Sequence, residues 1–459
     1  MTDIAKILAR TPAFETFYTV DEMDALALRY AEDYPGSVSR AIVGASRKGH
    51  PIYCLSVGSG ERNALCFACP HPNEPIGAMT CFALLKLFLE DPALLAETDF
   101  AWHFVYCADP DGTKLNEGWF KGPFTLRNYA RHYYRPASDL QVEWTFPIDY
   151  KSLHFDKPIP ETQALMGLID ELKPEFAFSL HNSSFGGAYW YSVEKDAKFC
   201  RSLETAATRQ GIPLHLGEPE SDYIVRYSPA VYSMMSMKEY VDYAEKYANG
   251  FGADSPTCGA CSADYISGVC DCLTLIAEVP YFYNERIDDT TPSDMTRRDA
   301  ILAGVERSEN LRRLMQRWRD MSEQLFSADN PFPGLLMDHL DACESMLETR
   351  RKSAVSEAFD VPATVSEVRD NLYISHYNEY LFIGLLIRAV DCEEARRPGR
   401  EIELSLRVVR DEAEAALSRG IAELEKEAAY SVIPIKKSVS VQIESAFAAI
   451  AHLNDEVLQ

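Results

Sequence analysis

The sequence predicts an α/β protein in which a three-layer α/β/α domain with a mixed sheet precedes an all-helical C-terminal domain. Short apolar runs of strand length alternate with helical patterns as far as residue 292. Helical periodicity with mixed charge then dominates to the end of the chain, which predicts two domains, residues 1–292 and 293–459. A chain of 459 residues is also longer than one typical hydrophobic core.

Strand and helix patterns can be assigned in order along the chain. The turn signal Arg47-Lys48-Gly49-His50 lies between two apolar runs and predicts an antiparallel hairpin. Residues 113–160 combine aromatic residues, proline and arginine without periodicity, which predicts a long functional loop region after a turn at Asp109-Pro110-Asp111-Gly112. The predicted strands cover residues 41–44, 51–57, 64–69, 100–107, 176–180, 188–193 and 273–277, and the predicted helices cover residues 75–90, 161–172, 299–325, 333–350, 364–395 and 404–429.

Composition and charge exclude several classes of protein. Hydrophobic residues make up 47% of the chain and charged residues 25%, which is typical of a globular protein. The chain has 45 Lys and Arg against 70 Asp and Glu, a formal charge of -25, which disfavours binding to nucleic acid or to an anionic membrane. The N-terminus has no apolar core of signal-peptide length, and the run 380–387 is too short to cross a bilayer. We therefore expect a cytoplasmic protein without nucleic-acid or membrane partners.

Four side chains at the ends of predicted strands form a candidate metal site. His71-Pro72-Asn73-Glu74 follows one predicted strand, and His181 and Glu278 end two others. The strand ends of an open α/β sheet are where ligand sites collect. Zinc bound by nitrogen and oxygen takes three protein ligands and leaves one position for water when it is catalytic. A histidine and a glutamate three positions apart are common by chance, so the whole ordered set, rather than the pair, predicts the site.

The cysteine pattern allows a second metal site. Cys258-x-x-Cys261 is followed by Cys270-x-Cys272, and four thiolates could bind a structural zinc ion. The second pair has an unusual spacing, and several of these positions fall in predicted buried strands. Reduced cysteines that pack in the core are therefore the favoured interpretation.

Residues 40–290 resemble the zinc carboxypeptidase family of the carboxypeptidase A/B type. The pattern of that family is a strand ending in HxxE, a Pro-Asp-Gly turn, an arginine, a strand ending in a third ligand histidine, and a late strand with a catalytic glutamate. The matching positions in this sequence, in the same order, are His71 and Glu74, Pro110-Asp111-Gly112, Arg127, His181 and Glu278.

The resemblance implies roles for these residues. It implies one Zn²⁺ ion held by His71, Glu74 and His181, which would lower the pKa of a bound water and polarise the scissile carbonyl. It implies that Glu278 accepts the water proton as general base. Arg127 would stabilise the developing oxyanion, although it could also be an ordinary surface arginine.

The sequence departs from the family at the residues that bind substrate. The family has an Asn-Arg pair after the first arginine, and a guanidinium binds a terminal carboxylate bidentately. That pair is missing here, so Arg135 is the best substitute and Asn128 a weaker one. Tyr265 is a candidate pocket residue where the family carries a mobile tyrosine, with a packing role as its alternative.

The leading hypothesis is a zinc-dependent hydrolase that cleaves the C-terminal amide bond of a small peptide. A deacylase of N-acyl amino acids is the first alternative, because Ser179-Leu180-His181-Asn182 also resembles the related aspartoacylase and succinylglutamate desuccinylase branch. A catalytically silent metal-binding protein whose helical domain binds a partner is the second alternative. The presence of Glu278 argues against this second alternative, because a protein without catalytic activity does not need a base beside the metal.

Overall fold

The computed structural model describes residues 3–221, 223–247, 258–397 and 403–455. The strands in this part of the chain are β1 (Val38–Ala45), β2 (Pro51–Val57), β3 (Arg62–Ala68), β4 (Phe100–Val105), β5 (Ile148–Tyr150), β6 (Leu153–Phe155), β7 (Phe176–His181), β8 (Tyr189–Ser192), β9 (Arg226–Ser228), β10 (Val231–Ser233), β11 (Leu273–Glu278), β12 (Phe282–Tyr283), β13 (Pro292–Thr296), β14 (Pro362–Thr364) and β15 (Ser431–Val432).

The helices of the same described ranges are α1 (Ile4–Ala9), α2 (Val20–Asp33), α3 (Ile76–Glu90), α4 (Pro92–Thr98), α5 (Pro110–Phe120), α6 (Leu126–His132), α7 (Pro160–Leu172), α8 (Ala197–Arg209), α9 (Met237–Tyr247), α10 (Ser262–Val269), α11 (Arg297–Ser322), α12 (Gly334–Ala354), α13 (Val365–Arg369), α14 (Ser375–Ala395), α15 (Leu404–Glu427) and α16 (Ile435–Leu453). A short π-helical segment, Asp370–Ile374, joins α13 to α14.

The central sheet is mixed, as the sequence predicts. Within the described residues it has nine strands in the order β1-β2-β4-β3-β7-β11-β8-β10-β9. Strands β4, β3, β7 and β11 run parallel to one another, and their carboxyl ends therefore lie at one edge. The predicted hairpin of β1 and β2 adds antiparallel strands on one side, and β8 pairs antiparallel with β11 on the other.

Helices cover both faces of the sheet and produce the predicted three-layer sandwich. Alternate side chains of β3 enter two different hydrophobic clusters, as the two-residue period of a strand requires. Cys66 and Ala68 pack in a cluster with α3, α8 and α16, whereas Leu65 and Phe67 pack in a cluster with α7 and α10. A parallel strand buried on both faces has a continuous apolar sequence, which is why this run is recognisable in the chain.

The predicted helical C-terminal region is also confirmed, and its last helix returns to the sheet. Helix α16 packs against α3, α8 and β7. Its residue Gln442 donates a hydrogen bond to the carbonyl oxygen of His181 over 3.0 Å and accepts one from Thr80 over 2.6 Å. The C-terminal segment thus supports the strand that carries His181. The domain boundary between residues 292 and 293 stays a prediction.

The loop predicted over residues 113–160 is wrong in part, because helices α5 and α6 lie in or at the start of this region. Asp109 is the N-cap of α5, and its side chain accepts a hydrogen bond from the Gly112 backbone, so the predicted turn is the first turn of a helix. Thr125 caps α6 in the same way. Both helices are too short to show a clear apolar period.

No helix in the described ranges combines the length and the apolar composition that crossing a bilayer requires.

Gly77 in the first turn of α3 provides a test of how tightly this helix packs beneath the site. A Cβ atom there would lie 2.5 Å from the Cβ of Leu180 in β7, inside van der Waals contact. We expect Gly77→Ala to lower the free energy of unfolding by about 1–3 kcal/mol, as overpacking of a core does. Chemical denaturation followed by circular dichroism measures this change.

The matched control is Gly167→Ala in α7, where a Cβ would meet nothing within 4 Å. That variant should gain up to about 1 kcal/mol from helix propensity. Equal stability of the two variants would contradict close packing of α3 on β7.

Candidate active site

The loop between β3 and α3 carries His71 and Glu74. Cys69 leaves β3 with φ of 52°, and the Glu74 backbone N–H then donates to the His71 carbonyl over 3.1 Å, which closes a tight turn. Helix α3 begins at Ile76, whose N–H donates to the side chain of Asn182 over 3.0 Å. The loop is therefore fixed to the end of β7, the strand that carries the next site residue.

His181 and Glu278 are the last residues of β7 and β11. These strands are parallel neighbours, and His181 pairs with Glu278 in their register. Nδ1 of His181 lies 3.8 Å from Oε1 of Glu278. The structure therefore brings together the four residues that the sequence placed at three strand ends.

Three of these residues form a group able to bind a metal ion. One ligand atom from each of His71, Glu74 and His181 lies within 4.8 Å of the other two, and no other group of three or more such side chains is found in the described part of the chain. All three side chains are buried. Two imidazoles and one carboxylate are a ligand set that zinc prefers, with one position left for water.

Hydrogen bonding of the two histidines fits a metal ligand role. Nδ1 of His71 is buried and has no hydrogen-bond partner in the described structure, so its lone pair is free for an ion. Nε2 of His181 lies 2.7 Å from the hydroxyl of Ser179. When Nε2 donates its hydrogen there, Nδ1 keeps a lone pair on the side of Glu74, 2.9 Å from its Oε2.

The buried charges of this cluster shift the pKa values of its members. Burial and the neighbouring Arg135 lower the pKa of His71 well below its usual value, so this ring is neutral as a metal ligand must be. Burial also lowers the pKa of His181, but the charges of Glu74 and Glu278 outweigh it and raise that pKa to about 9. Burial and the charge of Glu74 raise the pKa of Glu278 well above its usual value. A divalent cation would compensate this excess of negative charge.

Arg135 joins the cluster from the segment after α6. Its Nε donates to the side-chain oxygen of Asn73 over 3.0 Å, and its Nη2 donates to Glu74. Asn73 is further held by Tyr129, whose hydroxyl accepts from the Asn73 amide over 3.0 Å. Of the predicted substrate-binding residues, Arg135 is the one that the structure places beside the metal ligands.

The other predicted residues lie elsewhere, and none of them lines the cavity of the described structure. Arg127 is exposed on α6, and the amide of Asn128 donates to the Pro123 carbonyl over 2.9 Å. Tyr265 donates to the carboxylate of Asp170 over 3.0 Å, which matches its packing alternative. Chain order alone suggested these three positions, and helical geometry turns them away from the site.

A cavity of about 1200 Å³ opens in front of the cluster. The carboxyl ends of β7 and β11 and the antiparallel strand β8 contribute to its lining. Helices α12 and α14 of the helical region also contribute, through residues such as His339 and Phe382. His339 and Phe382 stack with ring centroids 3.8 Å apart. The C-terminal helices therefore form one wall of the cavity, a role that the sequence did not reveal.

Sequence analysis also missed three polar residues of the site. Asn182 donates its backbone N–H to Glu74 over 3.2 Å, and Tyr281 donates its hydroxyl to the Asn73 carbonyl over 2.9 Å. Glu143 lines the cavity from a short 3₁₀ segment, Val142–Trp144, and is buried. Only the position of Asn182, next to His181, could have indicated such a role.

The four cysteines that the sequence left open as a second metal site do not form such a site in the described residues. In the described structure, Cys258, Cys261, Cys270 and Cys272 belong to no group of three or more potential ligands. Cys270 contacts the Pro174 carbonyl over 3.4 Å, and all four carry free thiols.

Comparison with known proteins gives a family match over the segment that holds the three metal ligands. Residues 23–250 match the family model described as zinc carboxypeptidase. No curated protein matches the chain. The resemblance inferred from the sequence is thus confirmed over this segment, which is that of a zinc metallocarboxypeptidase-like hydrolase. Zinc carboxypeptidases use one Zn²⁺ ion, and His71, Glu74 and His181 form a group able to bind it.

Several solved structures are also similar to this chain. Carboxypeptidase A from Helicoverpa armigera is 14% identical, with 61% of this chain and 70% of that chain covered and a TM-score of 0.39. Bovine thrombin-activatable fibrinolysis inhibitor, solved with tick carboxypeptidase inhibitor, is 12% identical, with 57% and 86% covered and a TM-score of 0.39. A metallo-carboxypeptidase from Burkholderia cenocepacia is 17% identical, with 57% and 60% covered and a TM-score of 0.34.

The metal site can be tested by changing its ligands. We expect the purified protein to bind one zinc ion per chain. Loss of a residue that only hydrogen-bonds to a metal ligand weakens binding roughly 10- to 100-fold, so His71→Ala or Glu74→Gln, which removes a ligand, should weaken zinc binding by more than that. Elemental analysis after dialysis against a weak chelator measures the zinc content. His154→Ala, at an exposed histidine, is the control that should keep its zinc. Full zinc content in the His71 and Glu74 variants would refute the site.

Proposed function

We propose that this zinc carboxypeptidase-family hydrolase cleaves the C-terminal amide bond of a small peptide, with Glu278 as general base. The observation that carries the proposal is the position of Glu278, which ends β11 beside His181 with its Oε1 3.8 Å from Nδ1. A carboxylate beside the metal ligands can take a proton from water and give it to a leaving amine.

In this proposal the metal ion and the protein side chains of the buried cluster have different chemical roles. Zinc held by His71, Glu74 and His181 would supply a Lewis acid and a water of lowered pKa. Glu278 accepts the proton of the attacking water and transfers it to the leaving nitrogen. Its half-buried position holds the carboxylate close to the ligands and still within the cavity.

Arg135 is the residue that we propose to stabilise charge on the scissile carbonyl oxygen. The sequence predicts that Arg135 binds a terminal carboxylate. Its contact with Glu74, however, keeps the guanidinium beside a metal ligand, where the carbonyl oxygen of a substrate would lie. A fixed cation at a developing oxyanion lowers the barrier because the folded protein already holds it in position, so it need not reorient during the reaction. Arg127, which is exposed on α6, has no part in this proposal.

Deacylation of an N-acyl amino acid is the second candidate. A terminal carboxylate requires a free cation, and the described lining of the cavity contains two arginines, Arg135 and Arg350. Both already have partners, because Arg350 donates to the side chain of Asn371 over 2.6 Å and Arg135 contacts Glu74. These contacts do not separate the two candidates, because a peptide and an N-acyl amino acid both end in a carboxylate. The cytoplasmic location and the absence of nucleic-acid partners remain predictions from composition.

The role of Glu278 can be tested by an isosteric substitution. We expect Glu278→Gln to retain zinc and to lose roughly 10²- to 10⁴-fold in kcat, because an amide cannot accept the proton. The assay is hydrolysis of N-acyl dipeptides, with N-acyl amino acids run in parallel to separate the two candidate reactions. Glu175→Gln, at the opposite end of β7, is the control. Full activity of zinc-loaded Glu278→Gln would remove the proposed base.

The role of Arg135 predicts a distinct kinetic pattern. Because its cation would act on charge that develops during the reaction, Arg135→Met should lower kcat by roughly 10²- to 10³-fold with little change in KM, as loss of an oxyanion donor does. Steady-state kinetics with zinc content measured in parallel provides the test. A raised KM at unchanged kcat would instead assign Arg135 to binding of the terminal carboxylate.

A further inference from the structure

The helical wall of the cavity contains a carboxylate, an imidazole and a thiol. Glu379 belongs to α14, His339 and Cys343 belong to α12, and all three line the cavity. Nε2 of His339 lies 3.0 Å from Oε2 of Glu379. The imidazole also stacks on the ring of Phe382, with the two ring planes 8° apart. The orientation of His339 is therefore fixed by a hydrogen bond and by an aromatic contact.

Helix α12 places Cys343 next to the same imidazole. Residues four positions apart lie on one face of a helix, and helical side chains tilt towards the N-terminus, which directs the Cys343 sulfur towards His339. Burial lowers the pKa of His339, but hydrogen bonds with Cys343 and Glu379 and the charge of Glu379 outweigh this effect and raise that pKa to about 9. The ring is therefore protonated at neutral pH, with a carboxylate and a thiol as its partners.

This arrangement is one that activates cysteine as a nucleophile. The thiolate is the reactive form of cysteine, and an adjacent protonated imidazole favours it. A third group that orients the imidazole completes the arrangement, and Glu379 occupies that position here.

Other buried cysteines of the described chain have different surroundings. Cys107 donates to the hydroxyl of Thr113 over 3.5 Å. Burial raises the pKa of Cys54 to about 12 and that of Cys258 to about 11, which keeps both thiols neutral at physiological pH. Burial alone thus makes a thiol unreactive, and contact with a protonated imidazole distinguishes Cys343.

A second metal site does not explain these three side chains. Within the described ranges, the cluster of the candidate active site is the one group that brings three potential ligand atoms close enough to share an ion. The chemistry that remains for Cys343, His339 and Glu379 is that of an activated thiol.

We propose that Cys343 is a modification site, a nucleophilic thiol that His339 activates towards small electrophiles. The reagent must be small because Cys343 is 2% exposed and lines the cavity. The sulfur forms a bond to the electrophilic carbon, the bond from that carbon to its leaving group breaks, and the thiol proton remains on His339. The adduct would occupy part of the cavity that the metal ligands also line. The reactivity of Cys343 does not depend on the reaction proposed for the metal cluster.

Iodoacetamide can rank the thiols of the folded, zinc-loaded protein. A thiolate displaces iodide from this reagent, and mass spectrometry of peptides after short reaction times gives a rate for each cysteine. Exposure alone predicts that the partly exposed Cys270, Cys272 and Cys392 react first. We expect Cys343 to react at least about tenfold faster than these three at neutral pH, because an ordinary cysteine is only a few per cent thiolate there.

His339→Gln tests the activating group. Glutamine can form hydrogen bonds but cannot carry the positive charge, so we expect Cys343 to lose at least about tenfold in rate at neutral pH. Zinc content and melting temperature should stay close to those of the wild type. At about pH 10, above the usual pKa of a thiol, the rate should return to the wild-type value, because the thiolate then forms without the imidazole.

The matched control is His376→Gln. His376 is another half-buried histidine of the helical region, its Nε2 lies 3.1 Å from the hydroxyl of Tyr380, and it does not line the cavity. This variant should leave the rate of Cys343 unchanged.

A wild-type rate for Cys343 no higher than that of Cys392 would identify a packing thiol and overturn the proposal. An unchanged rate in His339→Gln, or a loss that alkaline pH does not restore, would also overturn it, because the imidazole would then have no part in activation. Peptide mapping gives these results without any assay of hydrolysis, so failure of the proposed peptide hydrolysis would leave them unaffected.

Discussion

The parallel pairing of β3, β7 and β11 is the constraint on which the site depends. Because parallel strands end at the same edge of a sheet, this pairing brings together side chains more than 200 positions apart in the chain. Contacts around the sheet fix the edge further. Asn182 connects β7 to the start of α3, and Gln442 of α16 supports the backbone of His181.

The site contains several buried carboxylates close to one another. Glu74, Glu278 and Glu143 are close enough to affect His181 electrostatically, and Arg135 is the guanidinium that contacts a metal ligand. Such a concentration of buried negative charge is unfavourable in an apolar interior unless cations complete it. A zinc ion bound by His71, Glu74 and His181 would serve this purpose.

The sequence predicted those features that depend on local pattern and on strand ends. The apolar runs identified β3, β7 and β11, and the residues at their ends identified His71, Glu74, His181 and Glu278. Chain order could not distinguish Arg127 from Arg135, because α6 exposes the first and the segment after it buries the second near Glu74. Glu143 and the wall formed by α12 and α14 depend on tertiary packing, which leaves no spacing signal in the chain.

The central claim is that one zinc ion is bound jointly by His71, Glu74 and His181. Crystals of the zinc-loaded protein measured on both sides of the zinc absorption edge test it most directly. The account predicts one strong anomalous peak within about 2.0–2.2 Å of a nitrogen from each histidine and an oxygen of Glu74. A peak at another place in the molecule, or no peak in protein that hydrolyses its substrate, would contradict the account.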